Sequence, residues 1–281
     1  MNTNPMAKTV LCFGDSNTWG QTPDKSRRYS ANERWTRQLQ DMLGSDYYVI
    51  EEGLGGRVTN FDPDGRNDRN GKTYLLQAVP SHSPLDYFVI MLGTNDMKYR
   101  FERSANDVAE AVAELVDMAV EYQKGGDNQS MKVVVVAPVH IDHEAEWFSD
   151  MYPNDFDESS TTESKELAPI LNDLSKKNGW IFVEAAKYSK VGKDGLHFSQ
   201  GVSSFFGPTF KMFELVPLPT ITVRSLQPGR IQKQHSVQLY TSLIHTGQAS
   251  VAGTRTVTDW CVTISRKELT SSSSQTKNYV K

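Results

Sequence analysis

Short, almost uninterrupted apolar runs recur through the first two thirds of the chain, and longer amphipathic stretches separate them. The runs are residues 10–13, 47–50, 86–92 ("DYFVIML"), 132–138 ("KVVVVAP") and 180–185 ("WIFVEA"). They lack the in–out alternation of a half-solvated sheet, which suits parallel strands covered on both faces. Between them, residues 32–43 place Trp35, Leu39, Met42 and Leu43 on one helical face. "TYLLQAV" (73–79) reads as a short helix stopped by Pro80. Residues 104–123 form the clearest helix, with an apolar stripe of Val108, Val112, Leu115, Val116, Ala119 and Val120. Ser104 can cap it, with Asp107 three residues on. A polar loop runs from 139 to about 160. Leu167, Ile170, Leu171 and Leu174 then mark a helix ending near Gly179. Five strands alternating with helices predict an α/β fold, with a parallel sheet and right-handed crossovers.

After Gln200 the pattern dissolves. Residues 200–281 hold nine Lys and Arg against three Asp and Glu. The preceding residues therefore hold 21 against 31, a net charge of −10. The tail is rich in Ser and Thr, and its apolar clusters have no sustained period. It reads as a β-rich appendage, a disordered extension, or sequence never selected to fold with the rest. The division expected is 1–200 for the α/β domain and 201–281 for an atypical extension.

Charge and composition then exclude whole classes. A net charge of −4 gives no global case for binding nucleic acid. Hydrophobic content of 38% and charged content of 23% fit a soluble globular protein. No apolar run approaches the roughly 18 residues that span a bilayer. The N-terminal run is too short for a signal peptide, so a cytoplasmic location is the default expectation. Cys12 and Cys261 have no metal or redox spacing.

Polar motifs follow several of the predicted strands, and they fall on one sheet edge. "GDSNTWG" (14–20) follows the first, "GLGGR" (53–57) the second, "LGTND" (92–96) the third and "DGLHFS" (194–199) the fifth. In open α/β sheets that edge is where ligands bind. A serine alcohol such as Ser16 needs a base within hydrogen-bond reach, an acid to orient the base, and donors for a developing oxyanion. His197 and Asp194, three residues apart, can share one loop. Asn95 offers an amide donor, and the small residues after strand two let a backbone N–H approach a ligand. "HIDHE" (140–144) contains metal-capable side chains, but its spacing matches no helical ligand pair. It reads as a polar lid loop. "GLGG" does not match G-x-G-x-x-G and is not read as a phosphate cradle.

Four of these blocks, in this order, resemble the SGNH, or GDSL, hydrolases. "RW" (34–35), "EEGLGGRVTN" (51–60) and "SPLDYFVIMLGTND" (83–96) look most like the bacterial arylesterase/acyltransferase branch. The resemblance covers residues 8 to about 199. It implies a three-layer α/β/α sandwich with a five-stranded parallel sheet. It also implies Ser16 as nucleophile, His197 as base and Asp194 as orienting acid, with an oxyanion hole of Ser16 N–H, Gly56 N–H and the Asn95 side chain. The implied activity is hydrolysis of short-chain aryl or alkyl esters, with acyl transfer as a second outcome. No metal or organic cofactor is implied, and the expected partner is a small-molecule ester; a homo-oligomer is left open. A carbohydrate O-acetylesterase uses the same groups, and a non-catalytic binding protein is the reading from another class. Two departures stand out. Asn17 occupies a position that is often Leu, with an expected effect on the acyl pocket. "SQGVSSFFGPTFKMFELVP" stands where the family's last helix follows the histidine.

Overall fold

In a computed structural model of the chain, residues 3–123 and 131–199 are described in full, with the backbone of residue 124 and of three further strands. The chain divides into two compact units, Met1–Lys211 and Met212–Lys281. In the first, the elements run β1 (Lys8–Gly14), α1 (Ser16–Trp19), α2 (Trp35–Leu43), β2 (Tyr47–Gly53), α3 (Gly71–His82) and β3 (Tyr87–Met91). They continue as α4 (Ala105–Lys124), β4 (Lys132–Ala137), α5 (Phe148–Met151), α6 (Glu158–Asn178) and β5 (Ile181–Glu184). The second unit contributes β6 (Ile221–Ser225), β7 (His235–Val237) and β8 (Trp260–Val262), a three-stranded sheet of order β7-β6-β8 with antiparallel pairs. Residues 200–217, where the family's last helix would follow the histidine, lie outside the described residues.

The five apolar runs form one parallel sheet of order β2-β1-β3-β4-β5. Successive residues of β1 serve opposite faces, as the strand period requires. Leu11 and Phe13 join one core with α3, α4 and α6, through Leu75, Val112, Leu115 and Leu171. Val10 and Cys12 join the other, with Trp35, Leu39 and Leu43 of α2. This is the α/β/α layering expected of strands apolar on both sides. Burying one such Leu or Val fully stabilises the fold by about 1.5–3 kcal/mol.

Sequence and structure differ at helix ends. α2 starts at Trp35, because residues 30–34 form a turn in which Ser30 O accepts from Glu33 N and Arg34 N. Pro80 does not stop α3, which closes two residues later at His82. The proline stands in the last turn, so the break it imposes nearly coincides with the helix end. Ser104 and Asp107 do bond reciprocally at the start of α4: Ser104 N donates to Asp107 Oδ2 (2.9 Å) and Asp107 N to Ser104 Oγ (3.2 Å).

Strand order fixes where a ligand sits. The chain begins at β1, steps to β2 on one side and returns to β3 on the other. The crevice between the C-terminal ends of β1 and β3 is therefore the topological switch point. Gly14 stands level with Gly53 of β2 and Met91 of β3, so the segments leaving these strands begin at one height.

Candidate active site

Ser16 is the first residue of α1, a single helical turn launched from β1. Asp15 caps that turn, its Oδ1 accepting from Asn17 N at 2.9 Å. Asp15 is buried, and burial pushes its carboxyl up to about 6. The turn can lie this close to the sheet because of a glycine. A Cβ on Gly53 would meet Trp19 N at 2.1 Å, backbone that cannot give way.

The hydroxyl, an imidazole and a carboxylate line up from there. Ser16 Oγ lies 2.9 Å from His197 Nε2. His197 Nδ1 lies 2.5 Å from Asp194 Oδ2. Asp194 is fully buried and His197 nearly so. Asp194 Oδ1 accepts from the backbone N–H of Leu196 (3.2 Å) and His197 (3.1 Å), so the acid also folds the loop that carries the imidazole. The short spacing in "DGLH" brings the carboxylate and the imidazole together on one loop.

Asn17 secures that loop to Ser16. Its Nδ2 donates to Leu196 O (3.1 Å) and its Oδ1 accepts from Phe198 N (3.0 Å), gripping the residues on either side of His197. The polar side chain was expected to act on the acyl pocket. It does border the cavity, but its amide is committed to holding the histidine loop.

The other strand ends close around Ser16. Gly56 follows β2 with φ +75°, in the left-handed region that favours glycine. Asn95 follows β3 in a tight 3-10 turn (Asn95–Met97), and its Nδ2 donates to Arg57 O at 3.1 Å. That bond occupies one of the two N–H groups of the amide. Among the described residues, the N–H groups of Ser16 and Gly56 have no acceptor. Arg57 itself is buried, its guanidinium donating to Gly14 O (2.7 Å) and Glu52 O and lying 4.3 Å from the Phe13 ring. Burial lowers its pKa to about 10. One residue thus joins the ends of β1 and β2 by its side chain and Asn95 by its carbonyl. Asp96, next to Asn95, is also buried and pushed up to about 6 by burial. It accepts from Thr59 N (3.1 Å), Thr59 Oγ1 and Arg103 Nη1 (3.1 Å).

Sequence reasoning passed over Tyr152. It lies in the polar loop after β4, and its hydroxyl donates to Asp194 Oδ2 at 2.9 Å, the oxygen that faces His197 Nδ1. Desolvation, then the Asp194 charge, pushes the phenol well above its ordinary value. The only signal in sequence was an aromatic placed in a loop that follows a strand end. The same loop does not gather "HIDHE" around an ion. His143 Nδ1 pairs with Thr161 Oγ1 (3.0 Å), and Asp142 N donates to Gly195 O (2.9 Å). Among the described residues no three His, Cys, Asp or Glu side chains are grouped to hold a metal. The segment braces the loop of Asp194 and His197.

Ser16, Gly56, Asn95, Tyr152 and His197 all line one cavity of about 210 Å³. A larger one, about 360 Å³, lies beside α2 and residues 198–199 and contains none of these five. The reactive groups, not the volume, mark the first as the site. Residues 12–203 match the GDSL-like lipase/acylhydrolase family. The chain belongs to that family.

By this membership it is a serine ester hydrolase of the SGNH/GDSL type, and solved structures agree. The aryl esterase of M. smegmatis is 33% identical, with a TM-score of 0.64 over 73% of this chain and 99% of its own. A carbohydrate acetylesterase from Sinorhizobium meliloti is 36% identical, with a TM-score of 0.65 over 74% and 99%. Another carbohydrate acetylesterase family member from S. meliloti is 31% identical, with a TM-score of 0.66 over 73% and 98%. No curated protein sequence matches the chain. Among the described residues, no helix is long and apolar enough to cross a membrane.

Proposed function

We propose that this family member hydrolyses esters of short acyl groups, with Ser16 as nucleophile, His197 as base and Asp194 as the acid that orients it. The reading rests above all on the unbroken series Ser16 Oγ, His197 Nε2, His197 Nδ1 and Asp194 Oδ2, at 2.9 and 2.5 Å. Ser16 Oγ bonds to the ester carbonyl carbon as its proton passes to His197 Nε2. The carbonyl oxygen takes the negative charge, and the N–H groups of Ser16 and Gly56 with the Asn95 amide are its donors. His197 returns the proton to the leaving alcohol as the C–O bond breaks. A water molecule then repeats the sequence in reverse on the acyl-serine, and an alcohol in place of water gives acyl transfer. Asp194 stays ionised and steadies the imidazolium.

The alcohol part of the ester is open to two readings. An aryl acetate matches the M. smegmatis neighbour, and an acetylated sugar matches the S. meliloti neighbours. A panel of aryl acetates and acetylated sugars, assayed with the full chain and with Ser16→Ala, separates them. Hydrolysis of either class, reduced at least a thousandfold by Ser16→Ala, supports the mechanism. A variant retaining more than a few per cent of the rate overturns it.

A further inference from the structure

Tyr152 and Phe156 form one wall of the reactive cavity, their rings edge to face with centroids 5.6 Å apart. Each ring carries an ammonium: Lys25 Nζ is 4.0 Å from the Tyr152 centroid, and Lys98 Nζ is 5.6 Å from that of Phe156. Both lysines line the cavity. Asp155 lies 3.4 Å from Lys98 and also pairs with Arg100 through Nη1. Among the described residues Lys25 forms no ion pair, and the carboxylate charges that act on it are those of Asp194 and then Asp155. Arg100 is shared in turn with Asp64 at 2.8 Å. Lys98 and Arg100 thus share Asp155 and Asp64, while Lys25 reaches the cavity with no ion pair of its own among the described residues.

Lys25 is also held in place. It sits at φ +55°, in the left-handed region that few lysines adopt, within a turn closed by Lys25 N donating to Thr22 O at 2.9 Å. Asp24, its neighbour, takes hydrogen bonds from Thr22 Oγ1 (2.6 Å) and Ser26 Oγ (2.8 Å), and among the described residues forms no ion pair with Lys25. Backbone strain of this kind concentrates where a side chain has a task. Desolvation lowers the Lys25 pKa; the Asp194 and Asp155 charges oppose it, and the Lys98 charge adds to it more weakly. An anion between the two would relieve that mutual repulsion.

The wall shares its cavity with Ser16 and His197. Tyr152 bonds Asp194, which holds His197, and His197 is the group that hands a proton to the leaving oxygen. We propose that Lys25 and Lys98, above Tyr152 and Phe156, form an alcohol subsite that selects esters whose alcohol is a ring bearing a carboxylate. The ring stacks against the aromatic wall and the carboxylate bridges the ammonium groups. This inference rests on the Ser16 mechanism above and adds a substrate class to it.

The test compares 3-acetoxybenzoate with its neutral methyl ester on the full chain. At about 20 mM salt the ratio of kcat/KM, charged over neutral, is expected to exceed one. Raising salt to about 0.5 M should shrink it, because exposed charges are screened. Lys25→Gln keeps the backbone demand of lysine and should lower the ratio about five- to tenfold, while Lys25→Glu should bring it below one. Both esters hydrolysed at a ratio indifferent to salt and to Lys25 would overturn the subsite and leave the Ser16 mechanism standing. Neither ester hydrolysed while acetylated sugars are cleaved would likewise overturn the subsite, and no hydrolysis of aryl acetates or acetylated sugars would overturn the mechanism on which it rests.

Discussion

Replacing Asn95 by alanine separates a group that stabilises the transition state from one that only holds substrate. The side chain is buried, and one amide hydrogen is committed to Arg57 O at 3.1 Å. The second hydrogen is the proposed oxyanion donor. Losing one such donor costs about 10²–10³ in kcat, or roughly 3–4 kcal/mol, with little change in KM, because the ground-state carbonyl carries less charge. The same substitution leaves the Arg57 carbonyl without its partner. A buried acceptor stripped of its bond costs about 1–3 kcal/mol of stability. Steady-state kinetics on an aryl acetate and urea unfolding of the same protein read the two losses separately. A tenfold or greater rise in KM at unchanged kcat would show that Asn95 binds the ground state and is no oxyanion donor. Unchanged stability would mean that the Arg57 bond carries no weight.

Two further predictions concern groups around the triad. Burial raises the Asp96 carboxyl to about 6 from 3.8, so the folded chain holds this proton more tightly than the unfolded chain does. Its contribution therefore favours folding most below about pH 4 and is lost as pH rises to 6, by up to about 3 kcal/mol. Asp15 acts with the same sign; Asp96→Asn should flatten part of the decline in urea-unfolding free energy between pH 4 and 6.5, and an unaltered slope would refute the assignment. Tyr152→Phe removes the phenol bond to Asp194 Oδ2 and should lower kcat about three- to tenfold while leaving circular dichroism unchanged, whereas full activity would make the phenol a bystander.

How much of this was legible in sequence depends on distance along the chain. The strands were legible because a buried parallel strand must be apolar on both faces, and "YFVIM" of β3 is fully buried. Ser16 and Asn95 were legible because each follows a strand end within a few residues, whereas Asp194 and His197 lie well beyond β5 and were legible from the three-residue spacing of "DGLH". Helix starts were legible only where a cap marks them, as Ser104 does for α4, since an apolar stripe fixes the face of a helix but not its first residue. The α2 start depends on a turn at Ser30 that carries no hydrophobic signal. The tasks of Asn17 and Tyr152 were hidden for another reason. Asn17 acts on residues 179 and 181 positions away, and Tyr152 on one 42 positions away. Nothing local distinguishes such a side chain from an ordinary loop residue until the segments are brought together.

The central claim is that His197 and Asp194 make Ser16 a reactive alkoxide equivalent. An active-site-directed fluorophosphonate reports this directly, because phosphorus is attacked by an activated serine and by few others. Peptide mapping by mass spectrometry after incubation with the full chain should find one adduct, on Ser16. It should be absent from Ser16→Ala and slowed at least a hundredfold in His197→Ala. An unlabelled Ser16, or one labelled equally fast without His197, would contradict the account.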